Sequence, residues 1–205
     1  MSDSPVDLRR FAPATERNRG PILDVLRALL PDSGRVLEIA SGTGEHVVWL
    51  APHLPSFSFQ PSDPDPSNRA SIAAWTSRSG ATNVLPPLAL DARDARWTLP
   101  NPPSVLLCIN MIHIAPWKAT LGLMRNAAAV MSPGALLYLY GPFKRNGAHT
   151  APSNATFDQS LRATDPCWGV RDLESVVETA STAGFTLADA IPMPANNLSV
   201  AFRRI

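Results

Sequence analysis

The sequence predicts an α/β protein, a three-layer sandwich in which helices cover both faces of a seven-stranded, mostly parallel sheet completed by a C-terminal antiparallel hairpin strand. Three observations carry this. Short aliphatic runs, such as residues 36–39 and 105–110, alternate with stretches of helical apolar spacing along most of the chain, as parallel β-α-β units require. The last two apolar runs, 185–191 and 198–203, are separated only by "PMPANN", short enough for a hairpin. With 45% hydrophobic residues in 205, the chain can bury one full core, so a single domain over 1–205 is expected.

The elements follow in order. Residues 17–30 carry Ile22, Leu23, Val25, Leu26, Leu29 and Leu30 at helical spacing until Pro31 and Gly34 stop them. Residues 1–30 are read as an N-terminal cap segment. A strand at 36–39, a helix at 45–53 and a strand at 57–60 come next. The helix at 67–79 is entered through Asp65 as N-cap and Pro66 at its first position, each a sound start for a helix. Strands are expected at 84–90, 105–110 and 135–140, with a helix at 116–131 before the last and another at 172–183 after it. Residues 141–170, "GPFKRNGAHTAPSNATFDQSLRATDPCWGV", interrupt this rhythm where a short loop would suffice. An excursion at the carboxyl end of a strand is where open α/β proteins place ligand-specific elements, so a substrate lid is expected there.

Composition narrows the partners. A formal charge of +1 gives no field for gathering nucleic acid or an acidic membrane, and no basic run interleaves with aromatics. A small-molecule ligand is expected, with no nucleic-acid or membrane partner. Cys108 and Cys167 are too few for a disulfide framework, no apolar leader opens the chain, and a cytoplasmic protein with free thiols is expected. Frequent arginine, alanine and proline suggest a GC-rich bacterial genome. No two histidines stand at i, i+4 and no C-x-x-C occurs, so no metal is expected.

The chemistry concentrates in "VLEIASGTGEH", residues 36–46, where a buried strand runs into a glycine turn with Glu38 among its aliphatics. Such a turn brings backbone close to a ligand at the amino end of the next helix. A dinucleotide fingerprint G-x-G-x-x-G fails because position 47 is Val, and a buried carboxylate would repel a pyrophosphate. Glu38 favours a cationic ligand instead. S-adenosylmethionine offers a sulfonium, an ammonium, a ribose diol and an adenine amino group, each served by an acceptor.

"LEIASGTGEH" resembles the first motif of the class I S-adenosylmethionine-dependent methyltransferases, E/D-x-G-x-G-x-G, with Glu38, Gly42 and Gly44 matching and Ala40 replacing the first glycine. More narrowly, "PATERNRGPIL", "FQPSDPDP", "NMIHIAPW" and the 141–170 segment together resemble the methyltransferase-like 26 family over nearly the whole chain. The resemblance implies a Rossmann-like fold and the cofactor S-adenosylmethionine, with S-adenosylhomocysteine as product. The methyl would pass by in-line displacement to an oxygen, nitrogen or sulfur of a small, aromatic or amphipathic acceptor. A non-catalytic S-adenosylmethionine-binding partner or sensor is one alternative. An NAD-dependent oxidoreductase is another, opposed by Glu38 and Val47.

Further contacts are assigned chemically. Asp63 or Asp65 would accept from the ribose hydroxyls, and Asp63 is preferred because Asp65 serves better as a cap; the plain alternative is a pair of turn acids. Asp91 would accept from the adenine amino group with the Ala92 backbone facing the ring, with Asp94 as competitor and a solvated loop acid as alternative. Asn110 closes a strand beside the sulfonium, and His46 follows the turn. His113 is the candidate general base, since histidine titrates near neutrality, with helix capping or packing under Trp117 as the other role. Arg17, with Asn18, would hold the methionine carboxylate or a substrate anion, or simply form a surface capping cluster. In the lid, Tyr140, Phe143, Phe157 and Trp168 form a candidate aromatic wall, with Lys144, Asn154, Asp158, Arg162 and Arg171 as polar anchors; packing is the alternative for the aromatics.

Overall fold

A computed structural model describes residues 7–205; the first six residues of the expected cap segment lie outside the described residues. Helix α1 (Pro13–Leu29) begins earlier than its apolar spacing suggests, because Pro13 occupies the first turn, where a missing N–H costs nothing, and Glu16 complements the helix dipole. Strand β1 (Gly34–Ile39), helix α2 (Glu45–His53), strand β2 (Phe57–Pro61) and helix α3 (Pro66–Ser79) follow. Asp65 caps α3 by accepting from Ser67 N–H at 2.8 Å, and Gly80 ends it in the left-handed conformation. Strand β3 (Val105–Ile109) leads through a single helical turn, Met111–His113, into helix α4 (Trp117–Val130). The remainder comprises β4 (Leu136–Arg145), β5 (Ala148–His149), α5 (Pro152–Thr164), β6 (Arg171–Asp172), α6 (Leu173–Thr182), β7 (Phe185–Met193) and β8 (Asn197–Arg204).

Among the described residues the sheet has eight strands. Its main path is β2-β1-β3-β4-β8-β7, with β5 and β6 paired onto the extended end of β4. β1 through β4 run parallel, and β8 inserts antiparallel between β4 and β7. The fold is thus the Rossmann-like α/β sandwich expected, with two changes in detail.

The first concerns residues 84–90, which form no strand. They touch β2 through isolated parallel bridges, Phe59 with Val84 and Ser62 with Leu88. Pro86 and Pro87 stand between those bridges, and two consecutive residues without N–H groups cannot sustain a ladder. The second concerns the excursion. β4 continues through Gly141 and Pro142 to Arg145, turns at Asn146 and Gly147, both at positive φ, and returns as β5 before α5 and β6. Residues 141–170 are therefore a packed hairpin and helix.

Strand alternation divides the core. Val36, Val105, Leu107 and Tyr138 meet Ile22, Leu26, Val47 and Ile72 of α1, α2 and α3. Leu37, Leu106, Cys108 and Leu139 meet Leu123, Ala127, Val176 and Ala180 of α4 and α6. Each such fully buried aliphatic contributes about 1.5–3 kcal/mol. Successive residues of a strand face opposite sides, so Glu38 shares the α1/α2 face with Val36. Among the described residues no helix is long and apolar enough to cross a membrane.

Candidate functional site

The chain leaves β1 outward to β2 and then crosses back to lay β3 on the other side of β1. The crevice at the carboxyl ends of β1 and β3 is the point where ligands enter sheets of this kind. Five residues fill it. Ala40 (φ 55°), Gly42 (57°) and Gly44 (89°) all adopt positive φ, with Ser41 and Thr43 between. A left-handed alanine costs about 1–2 kcal/mol relative to its usual conformation. Here two serines hold it: Ser41 N–H donates to Ser62 O at 2.8 Å, Ser62 N–H to Ser41 Oγ at 3.2 Å, and Ser62 Oγ–H to Glu38 O at 2.7 Å. The two glycines have different reasons. A Cβ on Gly44 would lie 2.8 Å from Ile72 Cα, so this glycine lets α3 pack on the turn. A Cβ on Gly42 would meet nothing within 4 Å, so this glycine borders open space.

Glu38 is 3% exposed, and among the described residues its Oε2 has no hydrogen-bond partner. Burial pushes its carboxyl up to about 7; a hydrogen bond from Ser41 opposes this, and the charge of Asp63 adds to it. An orphaned carboxylate oxygen at a ligand crevice suits a cation or a strong donor. Asp63, also buried, accepts from Gly42 N–H at 3.0 Å on Oδ2, and from Asp65 N–H (3.0 Å) and Asn68 Nδ2 (3.1 Å) on Oδ1. Asp65 is exposed and occupied in capping α3. The acid pair thus divides as its chemistry suggests, Asp63 toward the turn and Asp65 away.

The α1 side supplies a polar wall. His46 Nε2 is 2.8 Å from Asn18 Oδ1, and Asn18 opposes the rise that burial gives the Tyr140 hydroxyl. Burial, with help from Arg19, lowers His46 to about 4, so the ring is neutral. Tyr140 is buried on the α1/α2 face and raised by that burial. Arg17 points to solvent, one helix position from the wall it was expected to complete. Residues 7–12 cross over α2 and α3 as a strap. Ala12 N–H donates to Glu45 Oε2, Arg10 N–H to Ser71 Oγ, and Trp75 Nε1 to Arg10 O, while Ser71 Oγ–H donates to Thr43 O.

The expected base is placed otherwise than expected. Asn110 closes β3 at positive φ (64°), partly exposed beside the crevice. His113, one turn later, is fully buried, and burial with the nearby Arg171 charge lowers it to about 3. Its Nδ1 accepts from Arg171 N–H at 3.3 Å, its ring stands edge-on to Phe143, and a Cβ on Gly141 would lie 2.5 Å from Nε2. Such an imidazole cannot take a proton from an acceptor in the crevice; it packs β4 against the loop that follows β3. Arg171 is corrected in the same way. It donates from Nε to Ile112 O (2.9 Å) and from Nη2 to Ala115 O (2.6 Å) and Cys167 O (2.9 Å), tying the end of the 141–170 segment to that loop. Arg171→Met is expected to lower unfolding free energy by about 2 kcal/mol, because carbonyls lose charged donors. Arg171→Lys should not restore it, since one ammonium lacks the planar fork that spans several carbonyls. Urea denaturation of the three proteins checks both statements.

Most other lid residues also serve packing. Phe143 is buried in the α4/α6 core. Asn154 is buried and donates to Asn196 O and Thr150 Oγ1. Asp158 is buried and meets Lys144, His149 and Arg162 within 3.6 Å while accepting from Val170 N–H. Phe157 is 41% exposed and Trp168 partly so. A cleft of about 520 Å³ opens where Trp117, Lys144, Arg171, Asp172 and Glu178 converge, at the α4 and α6 ends, on the sheet face opposite Glu38. In the segment between α3 and β3, Asp91 is bound by Arg93 side chain and N–H, Asp94 accepts from Asp91 N–H, and Ala92 is buried with its carbonyl against Gly122. The structure therefore brings together Asn18, Glu38, Ala40, Gly42, His46, Asp63, Asn110 and, of the expected lid wall, Tyr140 alone, and places the other residues of that wall and its polar anchors elsewhere. Ser41, Ser62 and Asn68 join the site unannounced, because hydroxyl and amide residues in turns look alike in sequence.

A family model described as "Protein of unknown function (DUF938)" matches residues 9–204. Among solved structures, an O-methyltransferase family protein from Burkholderia thailandensis superposes with a TM-score of 0.79 at 16% identity, covering 93% of this chain and 57% of that one. The mitomycin 7-O-methyltransferase MmcR gives 0.78 at 17% identity, over 94% and 54%. CalO1, a methyltransferase in calicheamicin biosynthesis solved with SAH bound, gives 0.73 at 14%, over 94% and 55%. At these identities the likeness is one of fold, and this chain spans little more than half the length of each.

Proposed function

The chain belongs to the DUF938 family, and on that premise we propose that it is an S-adenosylmethionine-dependent methyltransferase acting on a small, aromatic or amphipathic molecule. The resemblance to the methyltransferase-like 26 family belongs to the same proposal, as do a cytoplasmic place and the absence of nucleic-acid or membrane partners. The observation that carries the reading is Glu38, a buried carboxylate with an unpartnered oxygen beside the open face of Gly42 and the buried Asp63. The fold likeness to O-methyltransferases, one of them solved with SAH bound, supports it.

The residues fit the cofactor. Glu38 would meet its positive methionine end, Asp63 would accept from the ribose diol, and Asn18, His46 and Tyr140 would wall the methionine side. Asp91 is assigned to the adenine edge of that site, while the solvent-facing Arg17 takes no part in it. When bound, the cofactor supplies a methyl group on a sulfonium whose thioether leaves without further activation. The protein's share is orientation: holding an oxygen, nitrogen or sulfur nucleophile in line with that methyl, an effect worth several kcal/mol.

Calorimetric titration with S-adenosylmethionine, S-adenosylhomocysteine and NAD tests this. Micromolar binding of the first two is expected, weakened by Glu38→Ala and Asp63→Ala by about tenfold or more each, as for lost hydrogen bonds to charged groups. Absence of binding, or preference for NAD, overturns the reading. One observation favours a second reading, a binding-only sensor: His113 is sealed from the crevice. Formation of S-adenosylhomocysteine with small aromatic acceptors or a cell extract separates the two.

A further inference from the structure

The strap reaches the crevice through a chain of hydrogen bonds whose polarity is fixed. Arg10 Nη1 donates to Asn68 Oδ1 at 2.5 Å and to Ser67 Oγ at 3.0 Å. Arginine only donates, so Asn68 turns its oxygen to Arg10 and its amide to Asp63, and Nδ2 donates to Asp63 Oδ1 at 3.1 Å. A carboxylate offers about four acceptor positions. On Asp63, Oδ1 serves Asn68 and the Asp65 N–H, and Oδ2 serves the Gly42 N–H. One position remains, and it is on Oδ2. Two of the three donors are main-chain groups of tight turns, which cannot withdraw without remaking those turns. Asn68 is a side chain and can.

We propose that Asn68, held by Arg10, is a specificity-determining positioning residue that limits Asp63 to a single hydrogen bond from a vicinal diol, so that the site distinguishes the diol's two hydroxyls. The inference rests on the reading of Asp63 as the ribose acceptor. It gives the strap a function at a distance: Arg10 lies at the surface, yet through Asn68 it sets how many positions Asp63 offers. Removing Asn68 frees the second position on Oδ1. Removing Arg10 lets Asn68 swing away and acts in the same direction, less strongly.

Wild type, Asn68→Ala and Arg10→Ala are titrated with S-adenosylhomocysteine and its 2′-deoxy and 3′-deoxy counterparts. On wild type, one deoxy compound is expected to lose about tenfold or more and the other to bind within about twofold of the parent, as for one charged hydrogen bond present and one absent. On Asn68→Ala both deoxy compounds fall below the parent and the parent binds more tightly; Arg10→Ala shows the same pattern in part. General damage to the fold would weaken all three compounds alike, so the hydroxyl pattern separates positioning from structure. If Asn68→Ala does not fold, Arg10→Ala decides, since its side chain is exposed. Equal losses for both deoxy compounds on wild type, or an unchanged pattern in the variants, overturns the proposal and leaves the cofactor reading standing. No binding of the parent compound to wild type overturns both.

Discussion

Gly44→Ala is expected to destabilise the fold by about 3–4 kcal/mol, the sum of a left-handed alanine and an overpacked contact. The added Cβ would stand 2.8 Å from Ile72 Cα and 2.9 Å from its Cγ1. A backbone atom cannot step aside as a side-chain tip can, so α3 must retreat from the turn, and with it Asp63 and Asn68. The neighbouring change reads out differently. Gly42→Ala meets no atom within 4 Å and carries only the conformational cost, about 1 kcal/mol, yet it puts a methyl group into the space the ligand is proposed to use. Urea denaturation and titration with S-adenosylhomocysteine on both variants give a crossed result: stability lost mainly in the first, affinity mainly in the second. Equal stability losses would mean that the turn is rigid as a unit and that the two glycines do not have separate roles.

The second large effect concerns Glu38 and pH. In the unfolded chain its carboxyl titrates near 4.5, and in the folded protein burial raises it to about 7. Between these values the folded state holds a proton that the unfolded chain has released, so stability falls as pH rises through the window. The cost reaches about 3 kcal/mol above pH 7, from some 1.4 kcal/mol per unit. Glu38→Gln removes this cost. The variant should match wild type near pH 4.5 and exceed it by about 3 kcal/mol above pH 7. His46 and His113 act in the opposite sense. Their lowered values, about 4 and 3 against 6.5, make stability fall as pH falls from 6.5. Both are present in the two proteins and cancel in the difference. Chemical denaturation at several pH values checks this, and a flat difference would show that Glu38 is hydrated or paired in the folded protein. The same substitution also removes the charge that a cationic ligand would meet.

Much of the fold is legible in the sequence because it depends on local rules. The α2 boundaries, the Asp65-Pro66 entry to α3 and the C-terminal hairpin follow from periodicity, capping and loop length alone. The expected strand at 84–90 shows where those rules collide: its outer residues suit a strand, while Pro86 and Pro87 remove two donors. At the site, Glu38, Gly42 and Asp63 can be picked out because each is an unusual residue for its local setting. His113 and Arg171 cannot be assigned that way. A histidine after a strand looks the same whether solvent or a glycine backbone lies beyond it, and the sealing groups, Gly141 and Gly169, are far along the chain. Lid aromatics fail for the same reason, since only the tertiary structure tells a wall from a core.

The prolines at 86 and 87 have a wider consequence. A sheet's outermost strand ordinarily presents a row of free N–H and C=O groups on which another chain can align. Here one margin of the sheet carries two adjacent gaps in its row of donors. At the other, β7 has an irregularity between Leu187 and Asp189 and a proline at 192. Both margins are thus interrupted, which makes edge-to-edge aggregation costly even when the concentration of the protein is high.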